Sequence, residues 1–181
     1  MLKKIPNPYV RSLCEWLLAV AAAVLIFLVV RSFVFRFAHV SGNSMEPTLN
    51  HGDTVVLSRV HYLFGEPKKG DIVAFPYKEN PSEYYIKRVI GVPGDVIDLT
   101  DYRFTVNGVP LSDEFSSEAV LALGDVRFPL TVEDGRYFVL GDNRNGSKDS
   151  RYAAVGCVPK GQMVGKVVLR VWPHTAFGGV K

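Results

Sequence analysis

The chain has 181 residues, 48% of them hydrophobic, and a formal net charge of +3. This length corresponds to one domain with room for a subdomain. The small, scattered charge excess argues against a nucleic-acid partner but favours modest adhesion to an anionic membrane surface. Cys14 lies in an apolar stretch and Cys157 far along the chain. We therefore expect no disulfide between them and assign Cys157 no role.

The hydrophobic excess is concentrated near the start of the chain. Residues 13–30 read LCEWLLAVAAAVLIFLVV, with Glu15 as the single charged residue. As a helix this stretch is about 27 Å long, close to the hydrocarbon thickness of a bilayer, about 30 Å. The following RSFVFRF can extend the helix, with Arg31 and Arg36 snorkelling toward the headgroups. The stretch therefore predicts a membrane anchor.

Two other interpretations of this stretch are weaker. A cleaved signal peptide carries small residues before the cut, whereas Arg36 lies two places before Ala38. A buried core helix would carry polar residues at helical spacing, and residues 16–30 have none. Basic residues flank both ends, so the positive-inside bias favours a cytoplasmic N-terminus only slightly. The predicted organisation is a cytoplasmic N-terminus at 1–12, a transmembrane anchor at 13–35 and an extracytoplasmic domain at 36–181.

After the anchor the chain shows short β-type runs separated by Gly and Pro turn signals, without a long amphipathic helix. Asn107-Gly108, between two apolar runs, is the strongest hairpin signal. We expect a mostly β fold, sandwich-like or barrel-like, behind a single N-terminal transmembrane helix. Residues 112–134 are acidic and poorly periodic, and we interpret about 98–136 as a small inserted lobe. The predicted strands lie within 53–60, 70–77, 83–92, 94–99, 103–111, 135–143 and 161–173.

The stretch VSGNSMEPTL (40–49) places Ser44 in a polar turn soon after the anchor. A serine in such a turn is usually only a turn residue, and a nucleophilic serine needs a base within hydrogen-bond reach. Histidine is the usual base. His39 and His51 are near in sequence but lack a recognisable catalytic context, and His174 lies in the C-terminal tail. A Ser-His pair is therefore an open alternative without support.

Lys87, in EYYIKRVIG (83–91), is the better candidate for a base. In a strand, Tyr85, Lys87 and Val89 share one face. If that face is buried, desolvation lowers the pKa of the lysine, and the neutral amine can act as a general base near neutral pH. An isolated lysine on an edge strand more commonly extends into water. The pairing of Lys87 with Ser44 is the hypothesis that we favour.

The stretch LGDNRNGSKDSRY (140–152) is the third candidate. An EF-hand loop that began at Asp142 would need an oxygen ligand and a glycine where the chain has Arg144 and Ser147. The calcium interpretation therefore fails. Besides a plain polar loop, the stretch suggests a rigid turn whose hydroxyls orient a buried amine. In that turn Asp149 would pair with Arg151 or with Arg88.

Together these stretches resemble the type I signal peptidases, in their smaller Gram-positive-like form, over nearly the whole chain. The resemblance implies a membrane-bound serine endopeptidase that cuts signal peptides from preproteins after small residues, commonly Ala-X-Ala, without metal or cofactor. It implies signal peptides and the lipid bilayer as partners, with the secretion machinery as a further candidate, and it supports an extracytoplasmic domain. The matching boxes, in the family's order, are SMEPTL (44–49), KKGDIVAF (68–75), YIKRVIGVPGDVI (85–97) and GDNRNGSKDSR (141–151).

The resemblance also implies roles for individual residues. Ser44 matches the nucleophile, Lys87 the general base, and Ser147 the serine that hydrogen-bonds and orients the lysine amine. At Gly42 the Gram-negative form has a serine that binds the oxyanion, so here the Ser44 N–H is the expected donor. The second donor is either the Gly42 main chain or another group. The supporting residues are Asp149, Arg151 and Arg88 as an ion-pair cluster, Asp142 as an acidic residue shaping the site, and Val40, Met45 and Ile86 as pocket-lining residues.

Two rival functions are open to this sequence. Self-cleaving repressors of the SOS type also use a Ser-Lys pair, but they carry a DNA-binding region where this chain has its apolar stretch. A non-catalytic, membrane-anchored β-domain that binds peptides or partners at the cell surface would leave Ser44, Lys87 and Ser147 as a coincidence.

Overall fold

The computed structural model describes residues 8–78, 80–81, 83–112 and 119–180. By its internal packing the chain divides into two units, Met1–Phe35 and Arg36–Lys181. Within the described residues the first unit consists of one helix up to Val34, and the second holds the β-rich remainder. The structure is therefore mostly β with an N-terminal helix, as the sequence predicts.

Helix α1 covers Pro8–Val34. Its stretch Ser12–Arg31 has a mean hydropathy of 2.7, none of it is buried, and it is long and apolar enough to cross a membrane. A helix that is apolar on all sides cannot be explained by one buried face in a soluble core. The predicted anchor thus forms a helix, although the helix ends one residue short of the predicted limit. The chain becomes a strand at Phe35, where large apolar and polar residues begin to alternate.

The main sheet of the second unit has the strand order β1-β2-β11-β3-β4-β9-β10, with β12 paired to β11. Strand β4 lies in its interior, hydrogen-bonded to β3 on one side and β9 on the other. Every residue of β4 from Ile86 to Gly91 is buried. The main-sheet strands are β1 (Phe35–His39), β2 (Thr54–Ser58), β3 (Ile72–Pro76), β4 (Tyr84–Gly91), β9 (Arg136–Leu140), β10 (Val158–Pro159), β11 (Gly165–Trp172) and β12 (Gly178–Gly179).

A second sheet has the order β7-β6-β5-β8. Asn107 and Gly108 form the turn between β6 and β7, both with positive φ (53° and 78°), as a two-residue hairpin of the predicted kind requires. This sheet lies mainly within the range predicted as an inserted lobe, and its status as a separate lobe stays a prediction. Its strands are β5 (Val96–Thr100), β6 (Arg103–Val106), β7 (Val109–Pro110) and β8 (Leu130–Thr131).

The seven predicted strand regions each overlap at least one observed strand. The short helix α2 (Val60–Phe64) follows β2, where the sequence pattern had suggested only the end of a strand. Part of the predicted loop, residues 113–118, lies outside the described residues. Both cysteines are free, as expected from their separation.

Candidate active site

Ser44 lies in a compact turn between β1 and β2. Hydrogen bonds from the Glu46 N–H to the Asn43 carbonyl (3.1 Å) and from the Leu49 N–H to the Met45 carbonyl (2.9 Å) close the turn. Met45 and Leu49 are fully buried and anchor the turn on the sheet. This packing leaves Ser44 half-buried at the surface of the domain with its position fixed from both sides.

Lys87 reaches this turn from strand β4. Its side chain is 3% exposed. Its Nζ donates to the Ser44 Oγ at 2.7 Å and to the Ile86 carbonyl at 2.9 Å. Burial lowers the pKa of the Lys87 amine to about 8, against the opposing attraction of Asp149 and Asp142. The structure thus brings together the serine and lysine that the sequence had paired, and the lysine is buried as the strand pattern predicted.

Two buried ion pairs support the strand and the loop that follows β9. Arg88 donates from Nε and Nη2 to the two carboxylate oxygens of Asp142, at 2.8 and 2.7 Å. Arg151 makes the same bidentate contact with Asp149, at 2.7 and 2.8 Å. Of the two pairings left open for Asp149, the structure therefore forms the one with Arg151, and Arg88 pairs with Asp142 instead.

Ser147 does not make the hydrogen bond that the resemblance implies. Its side chain is buried beside Gly141, and among the described residues its Oγ has no hydrogen-bond partner. The Lys87 amine donates to Ser44 and to the main chain of its own strand. The predicted Ser147–Lys87 hydrogen bond is therefore absent from this structure, and a role for Ser147 in orienting the lysine stays a prediction.

The histidines near the turn are engaged with groups other than the Ser44 hydroxyl. His51 Nδ1 accepts a hydrogen bond from the Gly42 N–H at 3.1 Å, which occupies one main-chain donor near the nucleophile. His39 Nδ1 lies 3.4 Å from the Thr54 Oγ1. These contacts give both histidines a role in holding the turn and its flanking strands.

Sequence reasoning missed two residues that shape the site. Thr48 donates its hydroxyl to Asp142 at 2.6 Å and so ties the turn of Ser44 to the Arg88 ion pair. Arg144 is buried, donates from Nε to the Gly141 carbonyl at 3.0 Å, and leaves its Nη2 unpartnered within the described ranges. Each lies inside a matched box, but nothing in a single sequence distinguishes it from its neighbours.

A cleft of about 680 Å³ contains the Ser44 and Lys87 side chains. The predicted pocket residues Val40, Met45 and Ile86 line it together, and they belong to one buried apolar cluster. A second cavity of about 710 Å³ lies between Glu66, Val92 and Lys160 and includes neither member of the pair. We regard the cleft as the candidate active site because it contains a hydroxyl held by a buried amine.

A nucleophilic hydroxyl of a serine hydrolase lies within hydrogen-bond reach of its base, and Ser44 and Lys87 meet this geometric requirement. The family model "Signal peptidase, peptidase S26" matches residues 13–172. The chain therefore belongs to the signal peptidase family, a family of serine endopeptidases.

Individual relatives agree with the family match. The chain is 38% identical to a signal peptidase I of Bacillus licheniformis, over 85% of this chain and 86% of that protein. It is 35% identical to signal peptidase IB of Staphylococcus aureus, over 92% and 93% of the two chains. A crystal structure of a signal peptidase I from Enterococcus faecalis V583 shares 35% identity and a TM-score of 0.47, over 56% of this chain and 97% of that one.

Proposed function

We propose that this chain is a membrane-anchored signal peptidase that removes N-terminal signal peptides from secreted preproteins, with Ser44 as nucleophile and Lys87 as general base. The observation that carries the proposal is the 2.7 Å contact, within the cleft, between the buried Lys87 Nζ and the Ser44 Oγ. The family match supports the reaction class independently of this geometry.

The first step is the attack of Ser44 on the scissile carbonyl. Burial holds the pKa of Lys87 at about 8, so an appreciable share of the enzyme carries a neutral amine near neutral pH and can accept the proton from Ser44 as its oxygen attacks. The protonated lysine then passes that proton to the leaving amine. Water activated by the same lysine releases the signal peptide from Ser44. Every proton in this cycle passes between Ser44, Lys87, water and substrate.

The developing oxyanion needs main-chain donors. The Ser44 N–H donates to no acceptor within the described part of the chain, so it is available to the substrate oxygen. The Gly42 N–H already donates to His51, which disfavours it as the second donor. Loss of one oxyanion donor typically costs about 2.7–4 kcal/mol of transition-state stabilisation.

The ion pairs act as supports in this proposal. Asp142 and Arg88 fix the strand position next to Lys87, and Asp149 and Arg151 fix the loop that carries Ser147. Both pairs are almost fully buried, so breaking either leaves a charge without its partner in a low-dielectric interior. Asp142 and Asp149 also favour the protonated form of Lys87, the form required after attack on the substrate.

The substrate binds in an extended conformation alongside a strand of the enzyme, through main-chain hydrogen bonds. The residues one and three places before the cut enter small apolar pockets formed by Val40, Met45 and Ile86. Because these side chains are buried in one packed cluster, the pockets accept small residues such as alanine and exclude large ones. The expected cleavage motif is Ala-X-Ala.

Helix α1 anchors the enzyme in the plasma membrane as a single span, with the β-rich unit on the extracytoplasmic side. Its length and apolar surface support this placement, and the orientation rests on the resemblance and on the slight positive-inside bias of the flanking charges. The lipid bilayer and preprotein signal peptides are the partners of this function, with the secretion machinery as a further candidate. The chemistry needs no metal or cofactor, and the proposal includes no nucleic acid.

The test is cleavage of a model preprotein by the detergent-solubilised full chain, followed by mass spectrometry. Wild type cleaves after Ala-X-Ala, and Ser44→Ala and Lys87→Ala each lose nearly all activity. Lys160→Met, which changes a lysine paired with Glu66 in the other cavity, serves as the control and retains activity. The competing binding-module function predicts no cleavage by wild type. Cleavage that persists in Lys87→Ala and is lost in His39→Ala would contradict the proposed base.

A further inference from the structure

A stack of two tyrosine rings joins Lys87 to a second lysine. The Lys87 Nζ lies 5.0 Å from the centroid of the Tyr85 ring. Tyr85 stacks on Tyr77 with centroids 4.5 Å apart and an interplanar angle of 7°. The Lys148 Nζ donates to the Tyr77 hydroxyl at 2.7 Å and lies 5.1 Å from its ring centroid. The contacts form a continuous series from Lys87 through both rings to Lys148.

The members of this series come from three separate parts of the fold. Tyr85 lies on β4 with Lys87, and Tyr77 directly follows β3. Lys148 belongs to the loop after β9, between Ser147 and Asp149. The Tyr77 N–H donates to the Glu83 carbonyl, which closes the connection between β3 and β4 beneath the stack. A contact at Lys148 is therefore coupled to the environment of Lys87 through packed rings.

The Tyr85 ring lies beside the Lys87 amine at the wall of the cleft. Tyr77 is 8% exposed, whereas Tyr85 is only partly buried and lines the cleft with Lys87 and Lys148. Tyr85 therefore stands between the cleft and Tyr77, and the Phe75 ring also contacts it edge-on, with ring centroids 6.2 Å apart. Parallel stacking fixes the plane of the ring, and the ammonium of Lys148 fixes its partner.

We propose that Lys148 is a positioning residue, which through Tyr77 holds the Tyr85 ring against the Lys87 amine and so keeps water from that amine. This inference rests on the proposed role of Lys87 as general base. It assigns a function in the reaction to Tyr77 and Lys148, neither of which belongs to the Ser44–Lys87 pair or to the two ion pairs.

The groups that face Lys87 decide the direction of the effect. Asp149 and Asp142 favour the ammonium, Arg151 opposes it, and the ring face of Tyr85 also favours it. On the neighbouring strand the residue opposite Lys87 is the apolar Val73. Burial is the largest influence and lowers the pKa of the amine. If the Tyr85 ring is held less firmly, water reaches the Lys87 amine and burial has a smaller effect, so the pKa of Lys87 rises.

The experiment measures kcat/KM against pH for the detergent-solubilised full chain with a model preprotein, because this profile reports the free enzyme. Lys148→Met and Tyr77→Phe each break the hydrogen bond between the ammonium and the hydroxyl. On the acidic side of the profile (the acid limb) kcat/KM rises with pH. We expect each variant to shift this limb to higher pH by roughly half to one unit. The double variant moves it little further than Lys148→Met, because Lys148→Met already removes both this hydrogen bond and the contact of the ammonium with the Tyr77 ring. Tyr85→Ala gives a larger shift, and Tyr85→Phe, which keeps the ring, gives a smaller one.

Two controls distinguish a positioning role from a direct charge effect and from a merely structural role. A direct effect of the Lys148 charge would be screened by salt and would be absent in Tyr77→Phe, so a shift in Lys148→Met alone overturns the inference. If the stack is merely structural, its variants lower thermal stability but do not shift the acid limb of the pH profile. That result also overturns the inference. Lys160→Met should have the same acid limb in its pH profile as wild type. Residual activity in Lys87→Ala would contradict the proposed function itself, whereas an inactive Lys87→Ala with unshifted stack variants contradicts only this inference.

Discussion

Arg88 and Asp142 form a bidentate ion pair that is removed from solvent, with side chains 1% and 0% exposed. Arg88 follows Lys87 on β4, and Asp142 lies two residues beyond Leu140, the partner of Arg88 in the β4–β9 register. Thr48 donates to the same carboxylate from the turn that carries Ser44. One carboxylate therefore joins the strand of the proposed base, the turn of the proposed nucleophile and the loop after β9.

Asp142→Ala should strongly destabilise the protein. Removing one partner of a buried pair leaves the other charge uncompensated and typically costs about 3–5 kcal/mol. The measurement is the free energy of unfolding of the detergent-solubilised chain in denaturant. Glu133→Ala is the matched control, because it removes an exposed ion pair with Arg136 and should cost less than about 1 kcal/mol. Equal losses in the two variants would contradict a special role for the buried pair.

Much of the fold could be predicted from local pattern. Alternating apolar residues and Gly or Pro turn signals predicted the strand regions, and Asn107-Gly108 predicted its hairpin because only a turn with positive φ joins such strands closely. Helix α2 was missed because five residues are too few for a helical period to show. The start of β1 was missed because its apolar residues continue the apolar run of α1, and the alternation within Phe35–His39 is too short to distinguish a strand from the end of a helix.

The sequence predicted which residues belong to the site, but not all of the contacts between them. The strand pattern predicted that Lys87 would be buried if Tyr85, Lys87 and Val89 shared an inward face, and the boxes named Ser44, Asp142 and Asp149. The partner of Arg88 depends on the register between β4 and β9, which the sequence does not specify. The contact between Tyr77 and Lys148 could not be predicted from the sequence, because these residues are 71 positions apart and meet only after folding.

Stability should depend on pH through Lys87. Its pKa is lowered by burial from about 10.5 to about 8 in the folded chain. Between these values the unfolded state binds a proton that the folded state does not, so the free energy of unfolding rises with pH in this window. The full contribution is about 3 kcal/mol. Lys87→Met lacks this contribution. The free energy of unfolding of Lys87→Met minus that of wild type should therefore be greatest below pH 8 and should decline by pH 10.5.

The measurement is denaturant unfolding of both proteins at several pH values between 7 and 10.5. Taking the difference between them cancels the titration of tyrosines and other lysines that the two proteins share. A difference that stays constant across the window would show that Lys87 titrates with an ordinary pKa in the folded state, and would remove the physical basis for its role as a base.

Substrate preference should change when an apolar side chain that lines the cleft is shortened. Ile86→Ala enlarges the pocket proposed for small residues before the cut. We expect kcat/KM for a substrate with valine in place of the alanine immediately before the cut to rise, relative to the Ala-X-Ala substrate, by roughly tenfold. Ile90→Ala on the same strand is the control, because Ile90 is buried in a different cluster away from the cleft. A similar change in preference in both variants would place specificity elsewhere.

Gly141→Ala should disturb the nucleophile without changing any chemical group of the site. A Cβ at Gly141 would overlap the Ser44 carbonyl oxygen and the Ser147 side chain, and overpacking of this kind typically costs about 1–3 kcal/mol. Because the Ser44 carbonyl is main chain, relief of the overlap must move the turn. A small misplacement of reacting groups can cost about 100-fold in rate, so we expect kcat to fall by that order. Gly161→Ala, where an added Cβ meets nothing within 4 Å, is the control. Wild-type kcat in Gly141→Ala would mean that the turn of Ser44 tolerates displacement, and that the 2.7 Å contact with Lys87 does not depend on this packing.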